Sequence, residues 1–366
     1  MKLYIGADLV PTPKTEQSFI DKDGKAAFGG ILDIVKDGDA FIVNLECALT
    51  RSENAIRKYG PNLKADPLCA DGLKAFGVTD VMLANNHVFD FGVEGLTDTQ
   101  KNLERVGLPY TGVGENDTDS RKIYYIERAG KKVAIVNVCE HEYSYALPDR
   151  MGTNPYDPYL TMHDIREAKK NAEYVVVIYH GGKEHCRYPS PRLRLLAREM
   201  VENGACAVIA QHSHCIGCYE EYEGGHIVYG QGNFHFVKEE YSKTNPGWST
   251  ALLIELELGE KVEMKFHPIT TTDTGMDVAT GEEKAEILRA FEERNGELTD
   301  GRWQAGWKAF CEKFRENSPY IRALKRLYRE DSTEWDHELF AHYLDCEAHT
   351  DVWRELFPTW NQTNEK

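Results

Sequence analysis

Short apolar runs, each closed by a residue able to hold a metal or a proton, recur through roughly the first 240 positions of this 366-residue chain. Runs that are apolar on both faces read as buried parallel strands rather than as strands of a one-sided sheet. They fall at 3–5, 40–44, 81–84, 133–138, 175–179, 207–210 and 227–229. Helix-prone segments at 28–36, 67–76, 93–106, 161–172 and 190–203 separate them. Few folds admit this alternation. Parallel strands need crossovers, crossovers lay helices on the sheet faces, and the loops after the strands are left to carry chemistry. Two later segments, 251–257 and 262–267, alternate apolar and polar residues as half-buried antiparallel strands do. The expectation is a layered α/β domain over residues 1–272.

The residues that close these runs are alike in kind. Asp8 follows the first, Glu46 the second, Asn86 and His87 the third, His180 the fifth, and His212-Ser213-His214 the sixth. Alternate residues of an extended chain face one side, so His-x-His at a strand end can direct two imidazoles to one centre. A buried acid such as Glu46 is costly unless it is paired or metal-bound. Asn86 offers a neutral amide oxygen to a metal, whereas the adjacent His87 points elsewhere and suits a general acid that protonates a leaving group. Asp90 is spaced to orient His87, or equally to cap the helix expected at 93–106. Lys183 and Glu184, in the glycine-containing loop after His180, are candidates for substrate contact, with solvated side chains as the alternative. Singly, each residue has a bland reading as a turn, cap or core residue. Together Asp8, Glu46, Asn86, His180, His212 and His214 exceed what one tetrahedral zinc needs. Their mixture of oxygen and imidazole donors suits one or two divalent ions of Mn, Fe or Zn, with Glu46 as a bridge and a water activated for displacement.

Charge narrows the partners. Sixty acidic against 43 basic residues give a formal net charge of -17, which disfavours nucleic acid and anionic membrane surfaces. No apolar run approaches the roughly 18 residues of a membrane span. The chain enters a strand at once, and its nine cysteines lack a regular framework, which together predict a cytoplasmic protein. Cys215 and Cys218 form a CxxC pair without a second pair at zinc-ribbon spacing, so they read as buried thiols. The basic stretches 192–198 and 322–329 read as solvated helix faces.

After about residue 272 the composition changes. Residues 273–296 are charged and helix-prone, and Trp303, Trp307, Phe310, Phe314, Tyr320 and Tyr328 follow at helical spacings. Five of the six tryptophans lie past residue 300. This is an amphipathic helical extension, 273–366, that packs on the α/β body or serves as a lid or a homo-oligomer contact.

The order of these motifs resembles that of the poly-γ-glutamate capsule-synthesis (CapA-type) family of the calcineurin-like metallophosphoesterase superfamily. The matching elements are Gly6-Ala7-Asp8-Leu9, Asn44-Leu45-Glu46, Ala84-Asn85-Asn86-His87 with Asp90 and Gly92, His180-Gly181-Gly182 with Glu184, His212-Ser213-His214, and Tyr229-Gly230-Gln231-Gly232-Asn233-Phe234. The resemblance implies a four-layer α/β/β/α sandwich with a dimetal site at the strand ends. It implies that Asp8, Glu46 and His214 hold one metal, and that Glu46, Asn86, His180 and His212 hold the other. His87 then matches the superfamily's general acid, and Asn233 matches a loop element near the substrate. The wider superfamily begins with Asp-x-His, but position 10 here is Val10, so one metal lacks a ligand. Where the CapA-type branch usually has a basic residue soon after the first aspartate, this chain has Pro11-Thr12-Pro13.

Two readings of function follow. One is a metal-dependent hydrolase in which a metal-activated water attacks a phosphoester, or a γ-glutamyl or related amide, of a small molecule or an anionic polymer. The other is a non-catalytic protein that binds an anionic polymer such as poly-γ-glutamate during its synthesis.

Overall fold

A computed structural model of the chain describes residues 1–245, 247–315 and 318–357. Its main strands, in chain order, are β1 (Lys2–Leu9), β2 (Ala40–Leu45), β3 (Asp80–Met82), β4 (Tyr110–Thr111), β5 (Tyr124–Arg128), β6 (Lys131–Cys139) and β7 (Tyr174–His180). They continue with β8 (Ala207–Gln211), β9 (Tyr219–Tyr222), β10 (Gly225–Val228), β11 (Asn233–His235), β12 (Thr250–Leu258), β13 (Val262–Thr271) and β14 (Met276–Val278). One sheet runs β14-β13-β12-β1-β2-β3-β4, with β11 paired to β1, and a second runs β9-β10-β8-β7-β6-β5. The strands expected to be apolar on both faces pair in parallel: β1 with β2, β2 with β3, β6 with β7, and β7 with β8. The alternating segments β12 and β13 pair antiparallel, as their pattern predicts. The edge strands β5 and β9 carry no apolar run and were not legible as strands.

Strand periodicity sorts the side chains into layers. Leu3 and Ile5 of β1, Ile42 of β2, Ile135 of β6, Ile178 of β7 and Ile209 of β8 share one buried cluster between the two sheets. The intervening Tyr4, Phe41 and Val43 pack outward with Phe19, Phe28 and Leu73 of the helical layer over the first sheet. Val175, Val177 and Val208 pack outward with Leu196 and Met200 of helix Pro191–Glu202 on the other side. The order is α/β/β/α, in agreement with the expected sandwich.

The C-terminal segment forms helices Gly281–Asp300, Trp303–Glu312, Pro319–Leu327, Glu334–Asp345 and Glu347–Leu356. Leu298, Trp303, Trp307, Tyr320, Tyr343 and Val352 are buried in the same cluster as Leu196 and Met200, so these helices dock on the outer layer of the second sheet. The first sheet itself continues past residue 272, through β14. Trp360 lies outside the described residues. Among the described residues no helix is long and apolar enough to cross a membrane. Cys215 and Cys218 are buried free thiols. The stretch 192–198 is not the solvated face expected of it: Arg192 pairs with Glu140 and Asp351, and Arg194 and Arg198 pair with Glu220.

Candidate metal centre

The inter-sheet rows of side chains end in polar groups. In β2 the row through Ala40 and Ile42 continues to Asn44 and then to Glu46; in β7 the row through Val176 and Ile178 ends at His180. β1 needs a correction to join them. Its pairing with β2 slips between Ile5 and Asp8, so Ala7 and Leu9 face the helical layer and Asp8 turns toward the space between the sheets. Gly6, at the slip, lets the Phe234 ring pack against the backbone, since a Cβ there would meet that ring at 2.8 Å. Val10 falls in the helix-side core with Phe19 and Phe28, away from the polar cluster.

The result is a compact set of donors. His180 Nε2 lies 3.0 Å from Asn86 Oδ1, 3.2 Å from His212 Nδ1 and 3.3 Å from Glu46 Oε1. Asp8 accepts from Asn44 Nδ2 at 2.8 Å and from the His212 amide at 3.0 Å, and His214 Nδ1 lies 3.6 Å from Asp8 Oδ2. Donor atoms of Glu46, His180 and His212 lie within 4.8 Å of one another, as do those of Asp8, Glu46 and His214, and those of Glu184, His212 and His214. Asn233, aligned with Asp8 through β11, donates from Nδ2 to the Trp248 carbonyl. Its Oδ1 therefore faces His214 Nδ1 at 2.8 Å, which leaves His214 Nε2 as the ring's lone-pair donor. Asn233 thus acts on His214 rather than standing in the cleft.

Electrostatics mark the same groups. Burial, followed by the charge of Glu46, pushes Asp8 up to about 7. Glu46 rises well above the usual carboxylate range through burial and the charge of Glu184. Both Glu46 oxygens are buried without a hydrogen-bond partner. Burial lowers His180 to about 4 and His212 to about 3, and holds His214 well below the usual range, so all three imidazoles are neutral at pH 7. Neutral imidazoles are ready to bind a divalent cation, and acids raised by burial give up their protons to one.

His212-Ser213-His214 does not converge by strand alternation. β8 ends at Gln211, and His212 and His214 take left-handed backbone angles of φ 84° and 52°. Such angles cost a non-glycine residue about 1–3 kcal/mol each and persist where the surroundings dictate them.

His87 stands apart from the donor cluster, as its pairing with Asn86 suggested. Its Nδ1 lies 2.6 Å from Asp90 Oδ2, and Asp90 also accepts from Lys58 Nζ at 2.5 Å and from the Leu63 amide at 2.6 Å. Asp90 is therefore an orienting group and not the helix cap; the helix Gly92–Arg105 has Phe91 at its N-cap. Burial, and then the charge of Lys58, lower the His87 pKa. Lys183 and Glu184 border a cleft of about 900 Å³ together with His87, Asn86 and His214. Lys183 forms no ion pair among the described residues.

Several participants escaped the sequence reading. Lys58 sits in an irregular loop that no pattern distinguishes. Asn44 was readable: an amide inside a run buried on both faces needs a partner, and it bridges Asp8 and, at 3.1 Å, His180 Nδ1. Asn85 holds the loop by accepting from the His87 and Val88 amides. Glu142, 3.4 Å from His212 Nε2 and 3.9 Å from His342 Nε2, couples the centre to the C-terminal helices.

A family described as "Bacterial capsule synthesis protein PGA_cap" matches residues 3–238, the stretch that holds all of the candidate ligands. "Capsule biosynthesis protein CapA" of Bacillus anthracis is 34% identical over 181 residues, which are 48% of this chain and 44% of that protein. "PGA biosynthesis protein CapA" of Bacillus subtilis (strain 168) is 35% identical over 167 residues, 45% of this chain and 44% of that protein. The chain thus spans less than half the length of these curated relatives. A solved 5'-nucleotidase precursor from Thermus thermophilus superposes with a TM-score of 0.44 at 13% identity, over 80% of this chain and 58% of that one. By the match over residues 3–238, the chain belongs to the bacterial capsule synthesis protein PGA_cap family.

Proposed function

We propose that the chain is a metal-dependent hydrolase in which a water attacks a phosphoester, or a γ-glutamyl or related amide bond. The observation that carries this reading is Glu46, a carboxylate with 0% exposure, two unpartnered oxygens, and neutral imidazoles on either side. Burial disfavours its charged form, so without a metal it holds a proton, and a cation that replaces that proton stabilises the carboxylate. The donors fit Mn²⁺, Fe²⁺ or Zn²⁺: carboxylate oxygens, one amide oxygen and imidazole nitrogens. Asp8, Glu46 and His214 are assigned to one ion, and Glu46, Asn86, His180 and His212 to a second. Glu184 lies near enough to His212 and His214 to supply the ligand that Val10 does not.

A bound divalent cation supplies Lewis-acid charge and lowers the pKa of a water. The protein's own groups supply the rest. Asp90 takes up His87 Nδ1, so Nε2 is the ring atom that exchanges a proton with the leaving group. Lys58 holds the Asp90 carboxylate in place, and Lys183 offers an ammonium to an anionic substrate.

The second reading, a non-catalytic protein associated with poly-γ-glutamate synthesis, is favoured by relatives named for capsule and PGA biosynthesis. Metal analysis of the wild type beside His212→Ala tests the first reading, and, with metal present, turnover of a phosphodiester or a γ-glutamyl peptide distinguishes it from the second. At least one equivalent of Mn, Fe or Zn in the wild type, reduced in the variant, is expected of the hydrolase. Less than one equivalent after supplementation sinks it.

A further inference from the structure

The C-terminal helices do more than cover the second sheet. Phe310, Phe314, Tyr320, His342 and His349 of this segment line the cleft of about 900 Å³ whose floor holds Asn86, His87 and His214. The aromatic run expected to pack on the body therefore has two sides. Trp307 and Tyr320 are buried in the core, Phe310 and Phe314 are half-buried, and the rings of Phe310, Phe314 and Tyr320 follow one another along the cleft at centroid distances of 5.4 and 6.4 Å. Trp248 and Phe236, in edge contact with each other, line it as well.

This wall is fastened to the loops that bear the site. Glu347 accepts from the His141 amide at 2.9 Å, and Tyr145 donates to Asp345 at 2.6 Å. Asp351 accepts from Ser190 Oγ at 2.6 Å and pairs with Arg192, which itself reaches Glu140 at 2.6 Å. Lys58, Leu63, Tyr241 and Trp248 also border the cleft. A pocket of this volume suits a small molecule. A polymer lying across the site would need an open groove at both ends.

Charge is distributed to match. In a chain of net charge -17, Lys183, Arg187 and Lys313 border this cleft and form no ion pair among the described residues. Glu142 and Glu184 border it too, and cations together with aromatic rings suit an anionic group joined to an apolar one.

Resting on the hydrolase reading, we propose that the C-terminal helices are the substrate-selecting wall, restricting the site to a small anionic ester or amide with an apolar ring-sized group beside the scissile bond. Phe314 is the specificity-determining residue, because it is half-buried and sits between Phe310 and Tyr320.

Binding of non-hydrolysable probes tests this without requiring turnover. Phenylphosphonate and methylphosphonate are titrated calorimetrically into the full chain in Mn²⁺ buffer. The wild type is expected to prefer the phenyl probe by at least tenfold, Phe314→Ala to reduce the preference to threefold or less, and Phe314→Leu to retain most of it. Lys183→Ala is expected to weaken both probes alike. Equal affinity of the wild type for both probes overturns the proposal, as does an undiminished preference in Phe314→Ala of wild-type thermal stability. Tight binding of poly-γ-glutamate with no binding of the phenyl probe overturns it too. A preference without any metal-dependent turnover of an aryl phosphate or γ-glutamyl anilide would instead refute the hydrolase reading and leave the selecting wall standing.

Discussion

Metal loading of this centre is expected to expel protons, by an amount that the burial of Asp8 fixes. Asp8 titrates at about 7, so in the metal-free protein it is about nine-tenths protonated at pH 6 and one-tenth at pH 8. A cation binds the carboxylate form, so the protons released on loading through Asp8 fall by about 0.8 between those pH values. The same linkage weakens binding by about tenfold at pH 6 relative to pH 8, or about 1.4 kcal/mol. Glu46, raised well above its usual range, adds a further release in the same direction. His180 at about 4 and His212 at about 3 are neutral throughout and release nothing. The assay is calorimetric titration of Mn²⁺ into chelator-treated protein at pH 6, 7 and 8, each in two buffers of different ionisation enthalpy. Absence of proton release at pH 6, or a Kd independent of pH, would refute the placement of Asp8 beside the ion. The same shift governs stability without metal. An Asp8 raised from 3.8 to about 7 stabilises the fold below pH 3.8 and loses that contribution, about 4 kcal/mol in all, as pH rises through 7. The depressed histidines act in the opposite sense, costing stability as pH falls from 6.5 toward 4 and 3. The chelated protein is therefore expected to be most stable near pH 6.5, with metal relieving the loss on the alkaline side.

Three other outcomes are expected. His87→Ala lowers kcat by about 10²–10⁴ with the metal content unchanged, as measured by turnover beside elemental analysis; loss of metal would make His87 a ligand instead. Lys58→Met removes a charge that depresses His87, so the alkaline limb of the pH–rate profile moves to higher pH; an unmoved limb would sever the link. Asp351→Ala strips a nearly buried carboxylate from Ser190 and Arg192, at a cost of about 2–4 kcal/mol because Arg192 keeps Glu140. Amide exchange in helix Glu347–Leu356 should then accelerate by about 30- to 1000-fold, and unchanged protection would show that the clamp contributes nothing.

What the sequence disclosed and what it concealed divide along physical lines. The apolar runs specified the parallel strands because burial on both faces leaves no other pattern, and the residues closing those runs are the ones that meet in space. The conformation of His212 and His214 was concealed, since left-handed angles at two histidines are imposed by tertiary surroundings and leave no mark on composition. Lys58 was concealed for a different reason: its loop is positioned by contacts distant in sequence, with Asp90 and His87 and, through Tyr59, with Tyr143. The side of β1 that Asp8 occupies depends on a slip after Ile5, which apolar periodicity does not reveal. Arg192 read as solvated because its partners, Glu140 and Asp351, lie 52 and 159 residues away in sequence.

The clamp between Glu347, Asp351 and the loops at His141 and Ser190 also sets a timetable. Those contacts span 206 and 161 residues, and a ribosome adds roughly 5–20 residues per second. Every candidate ligand, from Asp8 to His214, leaves the ribosome before the helices that will wall the cleft. From the end of β13, whose sheet is needed to assemble the ligands, to those clamp residues a nascent chain spends about 4–16 seconds with the cleft open on that side.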